Sequence, residues 1–402
     1  MPEQPARRAV PPFDRIIHIG APKCGSTTLQ ALWHANRAEL ERAGVHYVGN
    51  RTHWAAPAKA VAGVKQRISG VVPPLSNWEA LTKEVSATTE RLALISSEWY
   101  ASATKEAVHR IVRDLERERL HAVLVVRPIA KTLPSAWQQR LKFGYRHSFS
   151  HWLGRLLVDT QPPGHSAQNL HGRFWRKHRY DQIAMRWVDA LGPDRVTVIV
   201  ADEQNRPFVV DSFSSILGIE PAKMTALPPK TNPSLSQFEA EVLLKVNQRY
   251  VELGGTQNEY KKLVWRTFDG FVNHLQAASS ERTRIPEESV KDVERMSLQI
   301  ENGLRESGVR IIGNLGLFSE KISNQTSESS ATEKEQHAGK VHSAANMIIA
   351  TMITSGILQP KEPVPGFSIN LTLFRYQLAA MVRRGMYTFQ IARKKMRKHK
   401  SR

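Results

Sequence analysis

The sequence predicts an α/β protein: a parallel sheet flanked by helices in three layers, followed by a helical C-terminal extension. Three observations lead to that expectation. Short β-rich runs alternate with helix-periodic segments over roughly the first 300 residues, the pattern of strands joined by crossover helices. Each run is apolar almost throughout, as strands buried on both faces must be. The first run leads directly into a glycine-bearing turn and an amphipathic helix.

The candidate strands are RIIHI (15–19), VHYV (45–48), LALIS (92–96), AVLVV (122–126) and RVTVIV (195–200). Between them, 26–42 reads as a helix ended by Gly44, whose free φ suits a helix C-terminus. A second helix covers 105–119, with Ala107, Val108, Ile111, Val112 and Leu115 on one stripe. A third starts at Ser236, where SQFE sets Glu239 three residues on and forms a capping box. Residues 1–12 read as a flexible N-terminus and 13–318 as one domain. The polar stretch 319–340, without a periodic apolar face, reads as a linker. In 341–402, a helix with Leu371, Phe374, Leu378, Met381 and Val382 on its apolar stripe leads into a basic end.

Composition narrows the class. Of 402 residues, 41% are hydrophobic and 23% charged, as in a water-soluble globular chain. No run reaches the about 20 apolar residues that span a bilayer, and the first residues lack the apolar stretch of a secretory signal. The expectation is therefore a cytoplasmic protein. Cys24 is the one cysteine, so no intrachain disulfide or cysteine metal cluster can form. Net charge is +20, but eleven Lys/Arg against one Asp/Glu fall in 361–402. That distribution argues against nucleic acid as the partner of the body and suits anionic small molecules instead. The basic tail could pack on the body, form a dimer or lie on an anionic membrane surface. No oligomeric state follows from it.

The chemistry concentrates in GAPKCGSTT (20–28). Gly20 and Gly25 have the spacing of a phosphate loop, G-x-x-x-x-G-K-[ST], making the sheet P-loop-type, but Ser26 stands where that pattern has lysine. A turn between a strand and a helix start still makes an anion site. The first N–H groups of the helix point outward and its dipole favours negative charge. Ser26, Thr27 and Thr28 add hydroxyls, and Lys23 adds a cation on the loop itself.

PKCGSTTLQ resembles the P-K-x-G-T-T-x-[LW] loop of sulfotransferases that use 3′-phosphoadenosine 5′-phosphosulfate (PAPS). The resemblance implies that the loop embraces the 5′-phosphosulfate and that Lys23 stabilises the leaving phosphate. Gly25, Ser26, Thr27 and Thr28 would be backbone and hydroxyl donors, with Cys24 at the variable position. It makes a second demand: an Arg at the end of a later strand and a Ser eight residues on, holding the 3′-phosphate. AVLVVRPIAKTLPSAWQQR meets it with Arg127 and Ser135. A guanidinium presents a planar fork to phosphate, and the residue eight further lies in the following helix.

Transfer to an acceptor hydroxyl needs a base. LALIS runs into SEWY, setting Glu98 at the carboxyl end of a strand, where open α/β sheets build their sites. Glu98 is the expected base and, with Lys23, the catalytic pair; His18 is expected to be packed, and His53 is either a contact to acceptor or an alternative base. A glutamate base resembles that of carbohydrate-type members, so the implied acceptor is a glycan, glycolipid or other hydroxylated metabolite. Trp137, Tyr145, Trp152 and Trp175 are expected at its rim. The late basic motif that grips the 3′-phosphate in the cytosolic animal enzymes is not evident, leaving Arg140 and Lys142 as candidates. The mechanism implied needs no metal. The rival readings are a P-loop kinase or NTPase, with Asp202 after VTVIV as its magnesium acid, and a non-catalytic membrane- or nucleic-acid-associated protein.

Overall fold

The computed structural model describes residues 12–52, 54–66, 69–157, 170–224, 234–256, 260, 281–322, 331–354 and 358. These fall into two compact units. The first comprises the described residues of Met1–Ala136, Phe149–Pro233 and Ile285–Asn324; the second those of Trp137–Ser148, Ser234–Arg284 and Gln325–Arg402.

The first unit holds a six-stranded, all-parallel sheet flanked by helices. Its strands are β1 (Arg15–His18), β2 (Val45–Tyr47), β3 (Leu92–Ser96), β4 (Leu120–Val126), β5 (Val196–Val200) and β6 (Arg310–Ile312), in the order β2-β3-β1-β4-β5-β6. β1, β4 and β5 are buried along their whole length, which is why they read as unbroken apolar runs. Register sets His18 beside Ser96 on one side and Val123 on the other. The chain leaves β1 toward β2 on one side and later enters β4 on the other, so the order reverses between β1 and β4. Crevices at the carboxyl ends of strands open at such a point.

Helix α1 (Ser26–Ala35) follows β1, and α2 (Arg37–Arg42) follows it directly. The single helix expected over 26–42 is thus interrupted. Asn36 turns out of helical geometry, and its side-chain Nδ2 donates to the Leu32 carbonyl at 2.8 Å, competing with the backbone ladder. Next come α3 (Ala55–Val61), α4 (Ser76–Ser86), α5 (Lys105–Asp114), α6 (Ile129–Leu141), α7 (Phe149–Leu157), α8 (Leu170–His178), α9 (Tyr180–Leu191) and α10 (Phe208–Leu217). α5 stops five residues short of the expected 119, because Glu116 takes a positive φ of 56° that a helix cannot accommodate. Trp33 of α1 and Phe213 of α10 meet edge-on around the His18 ring. α9 packs on β4 and β5 and is backed by α5 and by α12 (Val290–Glu306).

In the second unit, α11 (Gln237–Glu252) carries the expected capping box, with Ser236 Oγ accepting from the Glu239 amide and the Glu239 carboxylate accepting from the Ser236 amide. α11 packs against α13 (Ala331–Thr354). Residues 331–340, expected as linker, are therefore helical. Thr332, Glu333 and residues 335–340 are exposed, and the apolar stripe begins only at Val341, continuing through Ala344, Ala345, Ile348, Ile349 and Met352, all buried. The helix expected around Leu371–Val382 lies outside the described residues, as do the expected N-terminal segment up to residue 11 and His53.

Candidate functional site

The loop after β1 makes three left-handed turns within six residues, at Gly20 (φ 44°), Lys23 (φ 72°) and Gly25 (φ 89°). Gly20 has no alternative: a Cβ there would lie 2.5 Å from Ser26 Oγ and 3.0 Å from the His18 ring. Lys23 has a Cβ and accepts the conformation at a cost of about 1–2 kcal/mol. Gly25 occupies the N-cap of α1, so no side chain caps the helix, and the first turn contains no acidic residue. The space where its Cβ would stand is empty to 4 Å. Thr27 and Thr28 are exposed in that first turn. An uncapped, acid-free helix start under open space is a cradle that suits a phosphate or sulfate group.

Two loop residues face inward instead. Ser26 is buried, and its hydroxyl donates to the Ala21 carbonyl at 3.5 Å, leaving only its amide to the anion side. Cys24, expected among the cofactor-binding residues, has its thiol in the core. It donates to the Pro22 carbonyl and lies 3.7 Å from Tyr180 Oη, which in turn meets Thr132. Burial pushes the thiol up to about 11. Cys24 fastens the loop to α9 and contributes no side chain to an anion.

Arg127 follows β4 and lies half-buried. Its Nη1 donates to the Lys23 carbonyl at 3.4 Å, and its Nη2 is ion-paired with Glu203 in the loop after β5. One guanidinium thus ties together the loops after β1, β4 and β5. Nothing in the spacing of Glu203 marks it in sequence as the partner of Arg127. Its neighbour Asp202 accepts from the Gln204 amide at 2.8 Å and holds its own turn. Ser135 sits half-buried in the second turn of α6.

At the end of β3 a hydrogen-bond chain reaches Glu98. His18 Nδ1 meets Ser96 Oγ at 2.8 Å, and Gln30 Nε2 of α1 donates to Ser96 Oγ at 3.2 Å and to Glu98 Oε2 at 3.5 Å. Ser97 caps the 3₁₀ turn Glu98–Ser102 by accepting from the Trp99 amide. His18 is fully buried, and burial pushes it down to about 3, so the ring is neutral and serves packing. Gln30 escaped the sequence reading. Its one signal is helical spacing: it lies four residues after Ser26, on the same face of α1.

The expected aromatic rim is not formed by the tryptophans named for it. Trp137, Trp152 and Trp175 are buried; the first donates to the His147 carbonyl and the last to the Leu156 carbonyl. These rings fill cores. Arg140 stacks over Tyr145 within the second unit, as the sequence does not foretell. The aromatic residue beside Glu98 is Trp99, half-buried, with Lys59 Nζ 4.1 Å and Lys177 Nζ 4.7 Å from its ring centroid. Next to Lys177, burial pushes His178 down to about 3, and the charges of Lys177 and Lys23 act in the same direction. Among the described residues, no group of three or more His, Cys, Asp or Glu is placed to hold a metal, and no helix is long and apolar enough to cross a membrane.

No family model matches the chain, and no curated protein matches it. Among solved structures it is similar to the crystal structure of a sulfotransferase from Alicyclobacillus acidocaldarius. The two are 15% identical with a TM-score of 0.37, over 54% of this chain and 87% of that one.

Proposed function

We propose that the chain is a sulfotransferase that moves a sulfuryl group from PAPS to a hydroxyl of a glycan, glycolipid or other hydroxylated metabolite. The observation that carries the reading is the link from Arg127 to the Lys23 carbonyl at 3.4 Å. Two motif halves, 104 residues apart, meet at the carboxyl ends of neighbouring strands. A chance glycine pair would give no reason for the second half to arrive there.

The residues fit the nucleotide as follows. The amides at the start of α1 and the hydroxyls of Thr27 and Thr28 would hold the phosphosulfate, and Arg127 with Ser135 the 3′-phosphate. When bound, PAPS supplies a sulfuryl group on an activated phosphate. Lys23 sets a positive charge on the loop, where negative charge grows on the departing oxygen. Glu98 accepts the proton of the acceptor hydroxyl, and Gln30 orients its carboxylate through Oε2. The ion pair with Glu203 holds the Arg127 fork in place before nucleotide arrives.

The test is a mass-spectrometric screen of cell extract incubated with PAPS and protein, looking for products that gain one sulfate. Wild type is expected to form such a product. Glu98→Gln should lower its rate by about 10²–10⁴-fold while binding the desulfated nucleotide (PAP) unchanged. Full transfer by Glu98→Gln would remove Glu98 from the mechanism. Magnesium-dependent turnover of ATP without sulfate transfer would replace the reading with that of a nucleoside triphosphatase.

A further inference from the structure

The hydrogen-bond chain behind Glu98 has a direction, and donor counting fixes it. Gln30 Nε2 carries two hydrogens and meets two acceptors, Ser96 Oγ at 3.2 Å and Glu98 Oε2 at 3.5 Å. A flipped amide would set the Gln30 carbonyl oxygen against the carboxylate, so the charge of Glu98 selects the orientation seen. Ser96 Oγ accepts from Gln30, which leaves its own hydrogen for His18 Nδ1 at 2.8 Å, the shortest link of the three. His18 then carries its hydrogen on Nε2 and offers Nδ1 as a bare acceptor. With the hydrogen on Nδ1 instead, Ser96 Oγ would face two donors and its own hydrogen would have to leave the chain.

The imidazole at the far end is held fast. It is fully buried, with Trp33 and Phe213 edge-on at centroid distances of 5.5 and 5.1 Å. Its Nε2 edge lies against the first turn of the anion loop, where a Cβ on Gly20 would stand 3.0 Å from Nε2. His18 and Ser96 are Cα partners at the carboxyl ends of β1 and β3, so the sheet sets the distance between them. The chain is thus anchored on paired strands at one end and meets the Glu98 carboxylate at the other. Among the described residues, Gln30 is the group that hydrogen-bonds this carboxylate, and it does so at Oε2.

We infer that Ser96 and His18 are positioning residues: they hold the Gln30 amide, and through it Glu98, so that Oε2 is occupied and Oε1 takes the proton of the acceptor hydroxyl. The inference rests on the sulfotransferase reading for Glu98 as base. It also gives the packed imidazole a second role, since the ring beneath the donor loop is the one that orients the base.

The test uses the full chain, with cell extract as the source of acceptor. The rate of one-sulfate gain at saturating PAPS is followed over a dilution series of the extract, which separates kcat from an apparent KM, and PAP affinity is measured by calorimetry. Ser96→Ala should lower kcat about tenfold, the worth of one hydrogen bond that serves a charged group. Its apparent KM and PAP affinity should stay within about twofold of wild type, and Ser96→Thr, which keeps the hydroxyl, should recover most of kcat. In a Glu98→Gln background, Ser96→Ala should cost less than about twofold more, because a residue that acts through Glu98 has nothing left to orient. Unchanged kcat in Ser96→Ala, the same loss in both backgrounds, or an equal loss of PAP affinity would overturn the inference. Imidazole ¹⁵N spectra, with His18 assigned by its absence in His18→Asn, should show the hydrogen on Nε2; a hydrogen on Nδ1 would also overturn it. A wild type that forms no sulfated product would reject the sulfotransferase reading and, with it, the role given to the chain; the spectrum, which needs no turnover, tells the two failures apart.

Discussion

At the scale of single residues, the loop divides its side chains by direction. Thr27 and Thr28 are exposed and Lys23 is half-buried, while Ser26 and Cys24 turn into the body. Sequence supplies the list but not the direction, because the same nine letters can face either way until the core is built. Cys24 shows the consequence. A cysteine at a helix start would ordinarily gain thiolate character from the dipole, yet burial beside Tyr180 pushes its thiol up to about 11. At pH 8 the thiolate fraction is then about 10⁻³ even before access is considered. Reaction with a disulfide reagent at pH 8 should be at least about 100-fold slower in the native chain than in guanidinium. Rapid native-state reaction would place Cys24 on the anion side after all.

At the scale of elements, the strands were the most legible part, since parallel strands buried on both faces must be apolar throughout. β6 was missed for the same reason: Arg310–Ile312 is three residues long and partly exposed, so it has no buried run to read. The capping box at Ser236 was legible because it is local. The Arg127–Glu203 and Gln30–Glu98 contacts join elements distant in sequence and leave no periodic trace. Glycine positions separate space from backbone. Gly20→Ala puts a Cβ 2.5 Å from Ser26 Oγ as well as straining φ, whereas at Gly25 the Cβ meets nothing within 4 Å. Denaturant unfolding should show Gly20→Ala losing about 1–3 kcal/mol and Gly25→Ala distinctly less. Equal losses would mean that the β1–α1 turn is not held as described.

At the scale of the whole molecule, three buried imidazoles tie stability to pH. Burial pushes His18 and His178 down to about 3 and His121 to about 4, against about 6.5 in the unfolded chain. Between those values the unfolded state binds more protons. The contribution is therefore complete above about pH 6.5 and is lost as pH falls toward 3. Thermal unfolding should show Tm falling from pH 7 to pH 4.5, and His18→Asn should flatten that fall. An unchanged slope in the variant would show that His18 does not titrate on unfolding. The limits of the sequence reading have a physical origin at this scale too: polarity marked 331–340 as linker, but polarity records solvent exposure, and a helix can be exposed.

The central claim is that GAPKCGSTT is a sulfuryl-donor loop completed by Arg127. Calorimetric titration of PAP and of ADP into wild type and Lys23→Ala tests it most directly, because both nucleotides carry two phosphates and differ in whether the second sits on the 3′-hydroxyl or on the 5′-phosphate. The account predicts that wild type binds PAP at least about tenfold more tightly than ADP, about 1.4 kcal/mol, and that Lys23→Ala weakens PAP by a similar factor. Equal affinity for the two nucleotides, or PAP binding untouched by Lys23→Ala, would contradict it.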